Sequence, residues 1–173
     1  MSQHDGTIAN SDGATVRSDI QSAVQALLTS SSGTSAPSTT YANMLWADTT
    51  NNVLKQRDAA DAAWKIVDTL DTDRVLSKTA AYAITISDMF KTIECSTTSA
   101  GFTVTFPAIA GVTEGVCLWI RNTGTAGNTL TLDGSGAETI NGAATLALGD
   151  GQRAYVVFDG SGMAGHVARQ CRC

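Results

Sequence analysis

Apolar positions are spaced in two different ways along this chain. Val16, Ile20, Ala23, Val24, Leu27 and Leu28 fall at helical spacing, which predicts a helix from about Thr15 to Leu28. From Met44 onward short apolar stretches separated by polar turns replace this spacing, as short strands do. Strands are predicted at 43–47, 53–57 and 63–67, around the polar turns Asp48–Asn52 and Asp58–Asp61. Beyond residue 81 further short strands are predicted at 82–86, 92–95, 102–106, 116–121, 129–132, 138–141, 145–148, 153–158 and 164–169. Gly-rich turns at 124–127, 134–136, 149–151 and 160–162 separate the later ones. Val104/Phe106, Leu130/Leu132, Leu146/Leu148 and Tyr155/Val157 supply inward faces, and Val116 to Ile120 is apolar on both faces, as a central or interface strand would be.

Between these periodic stretches lie segments with little to bury. Residues 1–14 are small and polar, an arm expected to order only against a partner. Nine of the twelve residues 29–40 are Ser or Thr, and the segment reads as an extended linker. Residues 68–78 alternate in charge and mark a boundary. The division that follows is an arm, helix and linker over 1–40, a small β meander over 41–78, and a C-terminal β domain over 79–173. The fold class is mainly β, with a sandwich or barrel-like C-terminal domain.

Within the helix, Val16, Ile20, Ala23 and Leu27 also follow a 4-3-4 step, the seam of a short parallel bundle. Packing of this face on its own chain is the alternative. A three-strand meander is marginal alone, so Trp46 and Trp64 need packing partners, with identical chains as one source.

Composition narrows the class of function. Charged residues make up 16% of the chain, against about 25% in a typical domain, and the net charge is −5. The few Lys and Arg form no run, so nucleic acid is not an expected partner. No apolar stretch approaches the roughly 20 residues of a membrane helix, and no membrane insertion is expected. The first residues lack the features of a signal peptide, which implies synthesis in a cytoplasm without export by that route.

Catalytic chemistry is hard to find. His4 lies in the arm and His166 stands alone in a late strand. There is no nucleophile elbow, phosphate loop or paired-His zinc motif. Asp133, Glu138, Asp150 and Asp159 are the candidates for paired carboxylates or for a calcium site, and each also sits where a turn explains it. The chain is expected not to be an enzyme, and no cofactor is expected. Cys95 and Cys117 fall in predicted strands and read as buried free thiols, with a Cys95–Cys117 bridge as the alternative. Cys171 and Cys173 are one residue apart, where a mutual bridge is strained. They are candidates for intermolecular disulfides, to sister chains or to another component; the alternative is an exposed tail.

Two stretches carry a family resemblance. Met44-Leu-Trp-Ala-Asp-Thr-Thr-Asn-Asn-Val-Leu-Lys-Gln-Arg57, closed by Trp64 and preceded by a helix and a Ser/Thr-rich segment, resembles the N-terminal region of bacteriophage tail-fibre and related virion fibre proteins. Farther on, Tyr82-Ala-Ile-Thr-Ile-Ser-Asp88, Phe106-Pro107, Gly115, Asn128-Thr-Leu-Thr-Leu-Asp133, Glu138-Thr-Ile-Asn-Gly142 and Asp159-Gly160 occur in order. That order is similar to a small β domain near the C-terminal end of phage fibre and spike proteins. Two features depart from the pattern: Gly162-Met-Ala-Gly165 follows where a tryptophan is usual, and the chain ends Cys171-Arg-Cys173.

The resemblance implies a fibre or spike subunit of a tailed-phage virion, homotrimeric and attached through its N-terminal region to other virion structural proteins. Val16, Ile20, Ala23, Leu27, Trp46 and Trp64 are the residues assigned to attachment and oligomerisation. The C-terminal domain would project outward, with a host-surface glycan or protein as its implied partner. A capsid, collar or neck decoration protein with no receptor role is the second reading, and an enzyme acting on surface glycans the third.

Overall fold

Helix α1 spans Gly13–Leu28 and starts two residues before the predicted boundary. Asp12 explains the start: as N-cap, its carboxylate accepts from the Ala14 and Thr15 backbone N–H groups. The helix stops where Ser30 and Ser31 take left-handed backbone angles, φ 51° and 52°. The computed structural model describes residues 3–169; within them the chain is mainly β, with one α-helix and three sheets. It divides into two compact units, Met1–Leu70 and Asp71–Cys173.

In the first unit, β1 (Leu45–Asp48), β2 (Val53–Arg57) and β3 (Trp64–Thr69) form an antiparallel meander in chain order, with a register shift at Leu54/Lys55. The Ser/Thr-rich segment is not the extended linker expected from its composition. The open edge of β1 offers unpaired backbone groups, and this segment takes them. Gly33 N–H donates to Ala47 O at 3.1 Å, Ala47 N–H to Ser30 O at 3.1 Å, and Thr49 N–H to Gly33 O at 3.1 Å. Gly33 thereby forms a parallel bridge with Asp48, and Ser31, Gly33 and Pro37 are buried. Composition could not reveal this, because the bonds are made by backbone rather than side chains.

The arm is likewise tied to its own chain rather than waiting on a partner. His4 Nε2 lies 2.9 Å from Asp19 Oδ1 on α1, and Ala9 N–H donates to Asp19 Oδ2 at 2.7 Å. Gln3 Nε2 donates to Ser35 O at 2.7 Å.

Asp48 links the β1–β2 turn. Its carboxylate is 1% exposed and accepts from Lys55 Nζ at 2.8 Å. It also takes the Asn51 side-chain amide at 2.8 Å and the Thr50 and Asn51 backbone N–H groups. Burial pushes its pKa up, but the Asn51 and Lys55 hydrogen bonds outweigh it and hold the group below 3.8. A depressed folded pKa gives stability that is present above the unfolded value and lost as pH falls through the folded one. The melting temperature of the first unit should therefore fall below about pH 4, as followed by circular dichroism. Asp48→Asn should flatten that slope and cost about 1–3 kcal/mol at pH 7.

The second unit is wound through its first six strands and pairs consecutive strands as antiparallel neighbours only at its end. Its strands are β4 (Val75–Lys78), β5 (Tyr82–Ala83), β6 (Thr92–Cys95), β7 (Phe102–Thr105), β8 (Cys117–Asn122), β9 (Leu130–Asp133), β10 (Thr145–Leu148), β11 (Gln152–Phe158) and β12 (Met163–Arg169). One sheet has the order β12-β11-β8-β6-β4 and the other β10-β9-β7-β5. From β4 to β9 the chain visits the two sheets alternately. β4, β6 and β8 are parallel neighbours in one, and β5, β7 and β9 in the other. Parallel neighbours need a long crossover, and here each crossover is a strand of the opposite sheet. The winding ends when β10 returns antiparallel to β9 and β11 antiparallel to β8.

The core lies between the sheets. Ile93, Leu118, Ile120, Ala154, Val156 and Phe158 line it from one, and Val104, Leu130, Leu132 and Leu148 from the other. Phe106, just after β7, meets Phe158 edge-on with ring centroids 6.0 Å apart.

Two strand assignments change. Residues 75–78, grouped with the meander by sequence, form an edge strand of the second unit. Residues 138–141 are not a strand. Ile140 and Ala143 close a tight turn in which Asn141 and Gly142 both have positive φ, 53° and 79°. That is the Asn-Gly geometry of a two-residue hairpin loop.

Candidate functional site

Helix α1 presents the candidate attachment seam. Ile20 is 48% exposed, Leu27 81%, and beside them Val24 is 50% and Leu28 79% exposed. The helix buries only Ala26 on its own unit, a residue outside the seam. On this face Val16 and Ala23 are half-buried, whereas Ile20, Val24, Leu27 and Leu28 are left exposed. The exposed apolar side chains run from Ile20 to Leu28, about two and a half helical turns.

The tryptophan pair finds its packing within the first unit. Trp46 is 6% exposed and meets Trp64 edge-on at 5.3 Å between centroids. Its Nε1–H donates to Gly33 O at 3.2 Å, and Lys55 Nζ sits 4.8 Å over its ring. Trp64 is half-buried, with the Arg57 guanidinium 5.3 Å from its ring centre. The strap formed by residues 30–33 thus covers the indole that sequence reasoning left looking for a partner.

Three of the four candidate carboxylates accept from nearby backbone N–H groups, and Glu138 Oε2 is buried without a hydrogen-bond partner among the described residues. Asp133 pairs with Thr145 at one end of β9–β10. Asp150 lies past the other end, where Gly127 N–H donates to it at 2.7 Å. Glu138 Oε1 accepts from Ile109 N–H at 2.9 Å. Asp159 turns back on the Ser161 and Gly162 N–H groups at 2.9 and 2.6 Å, which hold its pKa below the usual carboxylate value. A glycoside-cleaving pair stands roughly 5–10 Å apart across a sugar, and Asp133 and Asp150 stand at opposite ends of a strand pair. Among the described residues no three His, Cys, Asp or Glu side chains gather as a metal site.

Cys95 and Cys117 are free thiols, and the bridge offered as an alternative does not form. Cys95 pairs with Asn122 across β6–β8, five residues along β8 from Cys117, or roughly 16 Å. A disulfide needs Cα atoms within about 7 Å. The two also face opposite ways, since Cys95 points into the core and Cys117 shares the outer face with Trp119. Burial pushes the Cys95 thiol up to about 12, which leaves it unreactive. Cys171 and Cys173 lie outside the described residues.

The motifs that carry the second resemblance serve turns and caps. Asp88 Oδ2 receives the Tyr82 hydroxyl, the Thr85 hydroxyl and the Thr85 N–H, each at 2.8 Å. Burial, and then Asp88, pushes the Tyr82 hydroxyl up to about 12. Asn128 Nδ2 donates to Thr97 O at 2.8 Å. Asn141 exchanges two hydrogen bonds with Gly165 in β12, at 2.6 and 3.0 Å.

Sequence reasoning missed one surface. The outer face of the five-stranded sheet carries an exposed Trp119, packed on Tyr155 with ring centroids 4.7 Å apart. The signal was present in Cys117-Leu-Trp-Ile-Arg121, whose every second residue points outward, but the stretch was read as apolar on both faces. Among the described residues no helix is long and apolar enough to cross a membrane. Comparison with protein-family models gives no match, and comparison with curated proteins gives none.

Proposed function

We propose that this chain is a structural fibre or spike subunit of a tailed-phage virion, assembled as a homotrimer and without enzymatic activity. The observation that carries the reading is the α1 seam, which the chain leaves exposed at Ile20 and Leu27. Leu27 at 81% and Ile20 at 48% exposure, in 4-3-4 step with Val16 and Ala23, match what a short parallel bundle would bury. The resemblance of residues 44–64 and 82–160 to virion fibre proteins supplies the three-fold order and the viral setting. In this reading the first unit anchors the subunit to other virion proteins, and the second, a two-layer β-sandwich wound as a coil, projects outward as an adhesion domain. The compactness of the first unit favours one other role, a collar or capsid decoration that clamps neighbouring virion proteins and binds no receptor.

Light scattering on the purified protein tests the proposal. The expected mass is that of three chains, falling to one chain in Leu27→Glu with the β signal of circular dichroism unchanged. Burying a leucine contributes about 1.5–3 kcal/mol, and each trimer would lose three. A mass of one chain at tens of micromolar for the unaltered protein would overturn the fibre and leave the decoration role.

A further inference from the structure

We infer that the outer face of the five-stranded sheet is a binding surface for an acidic polysaccharide, with a sugar ring stacked on Trp119 and its carboxylate held by Arg153. The site is a registered patch across four strands, β6, β8, β11 and β12. Tyr155 pairs directly with Trp119, and Arg153 with Arg121. Trp119 is 44% exposed, although it stands on the central strand of its sheet. Its indole leans on Tyr155 at an interplanar angle of 40°, and Arg153 Cζ lies 5.7 Å from its ring centre. On the other side, Arg121 Nη1 reaches Glu94 Oε1 at 3.5 Å. His166 pairs with Tyr155 and extends the row onto β12.

The chemistry selects the ligand. A rigid aromatic pair costs little entropy to hold and offers an electron-rich face to the C–H bonds of a pyranose ring. Polar groups at its margin then fix orientation, as binding sites require. Charge decides the kind of sugar. In a chain of net charge −5, this face brings Arg121 and Arg153 side by side with Glu94 as the acid in the same row. Guanidinium groups match carboxylates in a planar two-bond fork. A second copy of the same face is a poor occupant, because it would bring two further arginines against these two and desolvate all four.

This inference deepens the proposed function and rests on it for the setting in which a glycan is met; its geometry lies wholly in the second unit. Calorimetric titration of the full-length protein tests it. The acidic probes are oligogalacturonate, oligosialate and hyaluronan oligosaccharides, and the controls are the carboxyl-reduced oligogalacturonate and poly-glutamate. At least one acidic oligosaccharide should bind. Trp119→Ala and Arg153→Gln, both solvent-facing changes, should each weaken it roughly tenfold or more with the melting temperature held.

No heat with any acidic oligosaccharide would overturn the inference. So would equal binding of the carboxyl-reduced form or of poly-glutamate, or affinity unchanged in both variants. A change of mass by light scattering in Trp119→Ala would overturn it as well, because the face would then be a self-interface. Light scattering on the unaltered protein, beside its titration, separates this claim from the fibre reading. Binding that persists in an unaltered protein of one-chain mass would keep the glycan site and sink the fibre. A trimer that binds no acidic sugar would do the reverse.

Discussion

Asn122→Ala should unfold the second unit at markedly lower urea, with a loss of about 3–5 kcal/mol. Asn122 ends β8 with no exposed surface, and it closes one end of the coil. Its Nδ2 donates to Leu148 O at 3.0 Å and to Asn128 O at 3.3 Å. Its Oδ1 accepts from the Thr97 hydroxyl at 2.8 Å and from Gly124 N–H at 2.9 Å. One side chain thus satisfies groups that follow β6, follow β8, precede β9 and end β10. Alanine leaves those donors and acceptors without it in a closed space, and an orphaned buried group costs its full desolvation.

Asn122→Asp should be nearly as damaging at pH 7. The carboxylate keeps the bonds from Thr97 and Gly124 but turns its second oxygen on two carbonyls. Thr97→Val should cost less, and the pair should be strongly non-additive because both act on one bond. Urea titration followed by tryptophan fluorescence and circular dichroism would measure this. An Asn122→Ala midpoint equal to the parent's would mean that the network contributes nothing.

The same residue marks how far the sequence could be read. Asn122 lies one position beyond a predicted strand, and nothing local announces that its amide ties four segments together. Local pattern did well where burial alternates within one segment. Val53–Arg57, Thr92–Cys95 and Thr145–Leu148 were predicted at their observed bounds. It failed where the partner is distant in sequence. Alternation tells which side of a strand is inside but not whether its neighbour runs parallel, so the winding of β4 to β9 between two sheets was invisible. Val75-Leu-Ser-Lys78 was lost among charges because an edge strand buries little. The 29–40 segment was misread because composition reports side chains, and its ordering comes from backbone.

The candidate site was legible to the same extent. The α1 seam could be read directly, since a helix face is a local pattern. The Trp119 surface was legible only in its β8 part, because its other members stand on β11 and β12 and only register brings Arg153, Tyr155 and His166 beside it. Gly165 shows the limit in miniature. It falls inside the predicted strand 164–169, but nothing local tells why a glycine stands there: a Cβ would come within 3.0 Å of Ile140 and Leu146.

Trp46→Ala should destabilise the first unit by about 3–5 kcal/mol, the second large effect expected. The indole is 6% exposed, so truncation removes its transfer energy and opens a cavity beside Trp64. It also takes the Nε1–H donor from Gly33 O, the residue that bridges the Ser/Thr-rich strap to β1. Trp46→Phe should keep most of the apolar contact and cost clearly less, which separates the ring from its hydrogen bond. Trp64→Ala should also cost less, because Trp64 is only half-buried.

The contrast with Leu27→Glu gives this measurement its value. A tryptophan packed within the chain lowers the melting temperature of the first unit whatever the assembly state. An exposed seam residue changes the mass and leaves the melt of the single chain alone. A Trp46→Ala protein that keeps its melting temperature but loses a trimeric mass would place the indole at a subunit interface. The strap, the edge-on contact with Trp64 and the Lys55 ammonium over the ring would then have to be read as features that the assembly, rather than the single chain, holds together.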